Sequence, residues 1–258
     1  MSADTVGWLG LATSLIFVVI ALSLTSQQRL RLNGPIIVAV ARSLVQMGIV
    51  GAALVPIVRP DTPLVWSWLW VVGIIGFAAV TTARRAPRVP GLLWVALTAN
   101  VAVAATGLAV VFGFGIFPLE GRALVPVAGM IIGNSMKSAV VAATRVTEVA
   151  SDHRAEIEAG LALGMSVRLA ARRHLRASLR TSISPQVEQT AALGIVFLPG
   201  AMTGLILAGV DPLEAVRVQL ALMYVILAGV VIAAVVTGVG TLRRLTTSRE
   251  TLVHLARA

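Results

Sequence analysis

Cysteine is absent from this sequence, and charged residues are scarce. None of the 258 residues is Cys, and only 12% are Asp, Glu, Lys or Arg, whereas a soluble domain carries about 25%. The lack of Cys excludes disulfides, thiolate metal sites and a thiol nucleophile. What is abundant is apolar, since 57% of the residues are hydrophobic. This composition predicts a membrane protein.

The hydrophobic residues form seven runs of about the length that a hydrocarbon core requires, which is roughly 20 helical residues. The runs cover residues 6–25, 35–58, 63–82, 92–117, 123–143, 190–209 and 214–239. We therefore expect an all-α polytopic protein of the cell (inner or plasma) membrane, with about seven transmembrane helices in one permease-like domain, 1–258. The first run has no basic segment before it, so we expect a retained helix and no signal peptide.

The net charge of +10 is unevenly distributed among the loops. One alternate set of loops holds only Arg59 and Arg122. The other set holds most of the arginines, among them Arg29, Arg31, Arg84, Arg85, Arg88, Arg145, Arg154, Arg243, Arg244, Arg249 and Arg257. Basic loops remain in the cytoplasm, which predicts an outside N-terminus and a cytoplasmic C-terminus. The charge is thus explained by membrane topology, and we expect a lipid bilayer as partner and no nucleic acid.

The polar segment 144–186 is patterned as a cytoplasmic helical hairpin. Its first arm carries acidic residues at every fourth position, and its second arm carries basic ones: Glu148, Asp152 and Glu156, then Arg168, Arg172, Arg176 and Arg180. Such spacing places each set on one helical face. We expect a break at 164–166, with Ser166 as the N-cap of the second arm. An apolar stripe accompanies the arginines, at Val167, Ala171, Leu175 and Leu179. A solvated acidic face and a basic helix against anionic lipid are the simpler alternatives.

The turn of this hairpin reads "EAGLALG", with Glu158, Ala159, Gly160 and Gly164. It resembles the Glu-Ala-Ala-x-x-x-Gly coupling element in the cytoplasmic loops of ABC-transporter permeases, although the downstream part of that pattern is not reproduced. Small residues would let a short projecting helix seat in a groove of an ATPase subunit. The turn is therefore our candidate for ATPase coupling.

Several polar side chains interrupt the apolar runs, where a charge costs about 2.5–3.5 kcal/mol on insertion scales. They are Arg42, Gln46, Asn100, Asn134, Ser135, Lys137, Arg217 and Gln219. We expect such residues to face a bundle interior or a water-filled path. For Arg42, Lys137 and Arg217 the alternative is that the long side chain reaches the headgroups. For Asn134 and Ser135 it is interhelical hydrogen bonding.

Small residues in the fifth and sixth runs indicate close helix contacts. Gly129 and Gly133 form one small-xxx-small pair, and Gly200 and Gly204 form another directly after Pro199. Glycine at this spacing lets helix backbones touch, and proline can break a helix within the membrane. We therefore predict that these two runs line or move around a path. Its candidate lining residues are Arg42, Gln46, Asn134, Ser135, Met136 and Met202.

Three blocks of sequence are together similar to one family: "GMIIGNSMKSAVVAATR", "EIEAGLALGMS" and "LPGAMTGLILAGVDPLEAVRVQLALMYVILA". They resemble the FetB permease family of bacterial iron-export and metal-resistance ABC transporters, which has plant relatives among aluminium-tolerance permeases. The resemblance extends from about Arg42 to residue 230. It implies export of a metal ion, iron-like, or of a related small solute. It also implies a homodimer, driven by a separate ATPase that holds ATP and Mg.

Lys137 departs from the family, which commonly has a neutral residue at this position. A cation there would repel a bare metal ion if its side chain faced the path. The apolar runs hold no His, since His153, His174 and His254 all fall in predicted cytoplasmic segments. The metal ligands are therefore unknown, and the expectation of a metal depends on the resemblance.

Other functional classes fit less well. No P-loop is present, because "GMIIGNSMK" lacks the Gly-Lys-Ser/Thr ending, so we expect no catalytic residues and no cofactor in this chain. An ATP-independent secondary transporter or channel is an alternative, although the runs hold few carboxylates for a proton relay. A membrane anchor that recruits a cytosolic partner is another.

Overall fold

The computed structural model describes residues 8–59, 61–195, 198–246 and 251–252, and these are nearly all helical. The predicted basic residues Arg249 and Arg257, and His254, lie outside the described residues, as does the start of the first run. The helices are α1 (Trp8–Gln27), α2 (Asn33–Ile57), α3 (Leu64–Arg85), α4 (Leu92–Gly113), α5 (Gly121–Asp152), α6 (Arg154–Ala162), α7 (Val167–Ala170), α8 (Arg172–Ala191), α9 (Gly200–Leu207) and α10 (Pro212–Arg244). Within this described part, no β-strand occurs.

Six helices are long and apolar enough to cross a membrane, which confirms the all-α polytopic class. They are α1, α2, α3, α4, α5 and α10, and they correspond to six of the seven predicted runs. Their ends lie within a few residues of those predicted, except that α5 and α10 continue farther at their C-terminal ends. The predicted orientation stays a prediction.

The predicted sixth span, 190–209, is not one continuous helix. Helix α8 ends at Ala191, and α9 has only eight residues. Between them Gly194 adopts a left-handed backbone conformation with φ +83°, and Pro199 stands in extended conformation immediately before α9. An eight-residue helix rises only about 12 Å, far less than the roughly 30 Å of hydrocarbon. The described residues thus contain six membrane-capable helices and one broken run, and the predicted count of seven spans is not confirmed.

The chain divides into two compact units, Met1–Arg59 and Pro60–Ala258. The first contains α1 and α2, and a hydrogen bond of 2.5 Å from Thr25 Oγ1 to Asn33 Oδ1 joins the end of one helix to the start of the next. Helix α2 has no buried residue. Its apolar surface is therefore suited to contact with lipid or with another protein surface.

The second unit is built on α3, α4, α5 and α10, with α10 packed mainly against α5 and α4. Its core is formed by aliphatic side chains that are almost completely buried, including Val103, Ile131 and Ile226. Between helices in a bilayer, such side chains stabilise the contact by van der Waals packing, because lipid is as apolar as they are. This core fixes the helical faces on which the polar residues are presented.

A second apolar cluster holds the polar hairpin against the ends of α5 and α10. It includes Val146, Ile157 and Leu242, from α5, α6 and α10 respectively. The predicted apolar stripe of the second arm is confirmed, since Ala171 is buried and the other three positions are partly buried. The predicted break at 164–166 is also confirmed, but the cap is not. Ser166 has the extended backbone of an N-cap, yet its side chain makes no capping hydrogen bond.

Candidate functional site

Three polar residues of α5 lie within its apolar run: Asn134, Ser135 and Lys137, which we call the polar block. Their side chains point to different sides of the helix. Consecutive helical residues differ by about 100° in direction, so these side chains cannot all face inward. Ser135 is completely buried, whereas Lys137 is exposed and its Nζ lies 3.5 Å from Asn134 Oδ1. Asn134 is partly buried and donates from Nδ2 to the Met130 carbonyl oxygen at 2.8 Å. Lys137 therefore does not enter the core of the helical bundle.

Ser135 faces a glycine of α10 across a close contact between the two helices. A Cβ atom at Gly229 would lie 2.9 Å from Ser135 Oγ and 3.2 Å from Val103 Cγ1. A Cβ there would force these neighbours to shift, so glycine allows α10 to approach both α5 and α4 closely. Ser135 Oγ has no hydrogen-bond partner among the described residues. An apolar contact surface thus contains one polar atom with unused hydrogen-bonding capacity.

Other buried polar atoms of the same bundle also lack partners. Asn100 on α4 is completely buried; its Nδ2 donates to the Ala96 carbonyl oxygen at 2.8 Å, but its Oδ1 has no partner in the described part of the chain. Asn100 lies one helical turn from Val103, so it belongs to the face of α4 that approaches Gly229. Further atoms of this kind belong to Ser67, Gln219, Thr237 and Thr241. Each such group costs about 1–3 kcal/mol if it stays unsatisfied.

Helix α8 approaches the polar block of α5 from the other end of the hairpin. Ser138 Oγ donates to the Ser182 carbonyl oxygen at 2.9 Å, and both residues are buried. Since Ser138 lies within the apolar run 123–143, the last turns of α8 run alongside a membrane-spanning part of α5. The C-terminal end of the segment that we predicted as cytoplasmic, 144–186, therefore lies beside the apolar, membrane-spanning part of α5.

Gln186 is a candidate site residue that the sequence interpretation missed. It is buried at the C-terminal end of α8, and its Nε2 has no partner within the described ranges. Pro185 precedes it inside the helix and lacks an N–H group, which leaves one backbone carbonyl oxygen of α8 without its usual helical donor. Helix α8 continues through this proline to Ala191, so the freed carbonyl oxygen adds a polar group one helical turn from Gln186. A sequence signal for this residue was available: Ser182 and Gln186 are four positions apart, hence on one face of a helix, and Pro185 is adjacent.

The predicted coupling turn is a compact helix end whose two glycines are both required. At the end of α6, the Met165 amide donates to the Gly160 carbonyl oxygen at 3.1 Å, and the Gly164 amide donates to that of Leu161 at 2.9 Å. This is the Schellman arrangement, in which the residue after the C-cap is left-handed, and Gly164 has φ +80°. A Cβ at Gly160 would lie 3.0 Å from Ala170 Cβ.

The turn carries apolar side chains outward. Leu163 is 79% exposed, Met165 40% and Leu169 53%; we call these three residues the turn surface. Glu158 is held by Arg154, with Nη2 and Oε1 2.8 Å apart, and Ala159 is exposed. Contiguous exposed apolar side chains on a polar hairpin are typical of a surface that binds another protein.

The remaining predicted site residues lie on three other helix surfaces. Arg42 and Gln46 are exposed on α2 in the N-terminal unit, Met136 is partly buried on α5, and Met202 is partly buried on α9, which packs on α10. A Cβ at any of the predicted packing glycines would meet no atom within 4 Å: Gly129, Gly133, Gly200 and Gly204. These glycines therefore do not mediate close helix contacts within the described chain. Their role in packing stays a prediction, and it would apply to contacts with another molecule.

Comparison with known proteins gives a consistent result over almost the whole chain. The model of the uncharacterised protein family UPF0014 matches residues 8–246. The chain is similar to the UPF0014 membrane protein YjkA of Bacillus subtilis, with 33% identity over 95% of this chain and 98% of YjkA. It is also similar to the UPF0014 membrane protein STAR2 of rice, Oryza sativa, with 32% identity over 88% of this chain and 78% of STAR2.

A third relative has a functional name. The probable iron export permease protein FetB of Escherichia coli is 29% identical over 94% of this chain and 93% of FetB. No solved structure matches the chain. The relatives are named as membrane proteins or permeases, which agrees with six membrane-capable helices in the described residues. They confirm a multi-pass membrane protein and the resemblance seen in the three sequence blocks.

Proposed function

We propose that this chain, which belongs to the family UPF0014, is the membrane-spanning permease subunit of an ABC transporter that exports a metal ion, iron-like, or a related small solute. A separate ATPase subunit supplies the energy, and two copies of the chain form the transport unit. The similarity to the E. coli protein named as a probable iron export permease supports both the transport class and the type of cargo.

The turn surface is the observation that carries the proposal. Its three apolar side chains are exposed on a turn that two glycines hold in a fixed conformation. It also terminates a hairpin whose two sides, α5 and α8, continue to the polar block. A cytosolic ATPase that docks there would act on both helices. Exposed leucines such as Leu163 and Leu169 are unfavourable on a solvated hairpin and are typical of a surface that another protein covers.

The proposed path follows the inward side of α5, where Ser135 and Asn100 are completely buried, so it opens only when α5 and α10 move apart; Gln186 on α8 is a further candidate for its lining. These residues offer hydroxyl and amide groups with unused hydrogen-bonding capacity, as a path for a hydrated or complexed ion requires. Lys137 is exposed and its Nζ lies 3.5 Å from Asn134 Oδ1, and the proposal for a cationic cargo requires that this side chain stay outside the path. The neutral oxygen and nitrogen donors favour a metal that travels with water or a small ligand.

Reconstituted ATPase activity tests the proposal. The chain and a candidate ABC ATPase from the same genome are incorporated into liposomes, and ATP hydrolysis is measured with Fe(II), other metals and anionic metabolites. We expect stimulation that requires both the chain and one cargo. Lack of stimulation by any ATPase that binds the chain would contradict the permease assignment and favour an ATP-independent transporter. If no ABC ATPase binds the chain, the permease assignment is also contradicted, and a carrier or a membrane anchor that works without an ATPase becomes the better account.

Two matched variants locate the contact. Leu163→Glu places a charge on the turn surface without disturbing a buried residue, and we expect it to abolish the stimulation. Leu30→Glu makes the same change at another residue that is 54% exposed, in the connection between α1 and α2. We expect it to retain the stimulation. Equal effects of the two substitutions would contradict docking at the turn.

A further inference from the structure

Two histidines and a glutamate converge where α5, α6 and α8 meet in the hairpin. His153 lies between α5 and α6, Glu156 is in the first turn of α6, and His174 is near the start of α8. One potential ligand atom from each lies within 4.8 Å of the other two. The two imidazole rings are stacked, with centroids 4.4 Å apart. Residues separated by 21 positions of sequence are thus gathered around one point.

The distances resemble two edges of a metal coordination polyhedron. Glu156 Oε2 lies 3.5 Å from His153 Nδ1 and 3.2 Å from His174 Nε2. Ligands at about 2.0–2.1 Å from a tetrahedral ion are separated by roughly 3.3–3.4 Å. Because the two imidazole rings are stacked, their nitrogen lone pairs do not meet at one point, and joint coordination requires rotation of the His153 side chain, which is 50% exposed.

The hydrogen-bonding state of His174 is the second observation. The residue is only 8% exposed. Its Nε2 is close to Glu156 Oε2, yet the geometry does not form a hydrogen bond, and this nitrogen has no hydrogen-bond partner in the described residues. A buried imidazole nitrogen 3.2 Å from a carboxylate oxygen, without a hydrogen bond to it, is available as a metal ligand.

The charge around Glu156 also favours a cation. The hairpin is rich in arginine, but the ion-pair partners of Glu156 among the described residues are the two histidines. The neighbouring carboxylates are paired differently, Glu148 with Arg145 and Glu158 with Arg154. The carboxylate of Glu156 therefore faces the two imidazoles instead of an arginine.

We propose that His153, Glu156 and His174 form a binding site for a divalent first-row transition-metal ion such as Zn²⁺ or Fe²⁺. Two imidazoles and one carboxylate suit these ions, whereas Mg²⁺ and Ca²⁺ prefer oxygen ligands only. The exposed sides of His153 and Glu156 leave room for water to complete the coordination. The bound ion links α6 to α8 beside the turn surface, so cytosolic metal rigidifies the hairpin.

Metal binding by the purified full-length chain tests this site. The chain carries a purification tag without histidine, and Zn²⁺ binding is measured in detergent by competition with a chromophoric chelator. Co²⁺ serves as a spectroscopic probe, because its visible spectrum reports coordination by nitrogen and oxygen. We expect one ion per chain and no competition from excess Mg²⁺. Absence of Zn²⁺ and Co²⁺ binding at one ion per chain would overturn the proposal.

Three variants assign the ligands. We expect His174→Ala, Glu156→Gln and His153→Ala each to weaken Zn²⁺ binding by at least about tenfold, since even the outer-shell partners of metal ligands contribute 10–100-fold. His153→Ala keeps the test valid if the buried His174 is needed for folding, because His153 is half exposed. Glu148→Gln, which removes an exposed carboxylate of the same hairpin, is the matched control and should bind as the wild type does.

The result is independent of the proposed function, since neither an ATPase nor transport is involved. A cargo ion bound at the polar block of α5 would survive all three histidine and glutamate substitutions. Binding that is unchanged in His153→Ala and His174→Ala would therefore overturn the hairpin site. It would leave the permease proposal intact.

Discussion

Ser138 and Ser182, 44 positions apart in the sequence, are joined by a hydrogen bond of 2.9 Å between the Ser138 hydroxyl and the Ser182 carbonyl oxygen. This bond fastens the last turns of α8 to α5. It lies one helical turn from the polar block on α5 and one turn before Gln186 on α8. The two helices that extend from the hairpin are thus connected where the candidate path begins.

Removal of this bond should loosen α8. We expect Ser138→Ala to lower the free energy of unfolding by about 0.5–1.5 kcal/mol, the usual net contribution of one buried hydrogen bond. The measurement is the shift of thermal unfolding in detergent. Ser184→Ala is the control, because the Ser184 hydroxyl is exposed and bonds only to the Arg180 carbonyl oxygen of its own helix. A shift of the same size in the control would contradict a special role for Ser138.

Gly229 should tolerate no side chain. Gly229→Ala places a Cβ against Ser135 Oγ and Val103 Cγ1, and we expect a destabilisation of about 1–3 kcal/mol from overpacking. Gly129→Ala makes the same change where no atom lies within 4 Å, so it should be neutral or gain up to about 1 kcal/mol from helix propensity. Thermal unfolding of both variants checks this, and equal stabilities would show that α10 does not closely approach α5.

Substitution of Asn100 should affect stability and transport in opposite directions. Asn100→Leu removes a buried amide whose oxygen has no partner among the described residues, so we expect unchanged or increased stability, by up to about 3 kcal/mol. If the amide lines the path, cargo-stimulated ATP hydrolysis falls at the same time. Thr106→Val is the control, since that exposed hydroxyl bonds to the Ala102 carbonyl oxygen of its own helix. Full transport by a stable Asn100→Leu protein would remove Asn100 from the path.

Gly133 should report on the predicted homodimer. Its Cα has open space around it within the chain, as expected of a small residue that packs against another copy. We expect Gly133→Leu to shift the protein from dimer to monomer in chemical cross-linking and light-scattering measurements. Gly76→Leu on α3, where the space is also open, should leave the dimer intact. A dimer unaffected by Gly133→Leu would place the subunit contact elsewhere.

The hydrophobic pattern predicted most of the fold because bilayer thickness dictates the length of a spanning helix. It failed at two places for physical reasons. Helix α5 continues to Asp152 because nothing between 144 and 152 breaks a helix and because Val146 and Ala150 are buried by neighbouring segments. The run 190–209 is apolar enough to span, but Gly194 and Pro199 interrupt it.

The candidate site was only partly predictable. Asn134 and Ser135 were recognisable as polar residues in an apolar run, but which of them faces the core depends on the rotation of α5, and packing alone decides that. Gln186 was assigned to the cytoplasm because its local sequence is polar. Gly229 has no sequence signal of its own, since its importance comes from Ser135 and Val103. The glycines of the turn were different, because Gly164 ends a helix by a local rule.

Helix α5 reaches from the polar block to the hairpin without interruption. Asn134 and Asp152 are separated by 18 residues of one helix, or about 27 Å at 1.5 Å per residue, and its single proline, Pro126, lies on the other side of the polar block. The helix is therefore continuous and stiff between Asn134 and Asp152, and its one proline lies outside this stretch. A tilt of a few degrees, imposed at His153, would move Ser135 against Gly229 with no intervening joint to absorb it.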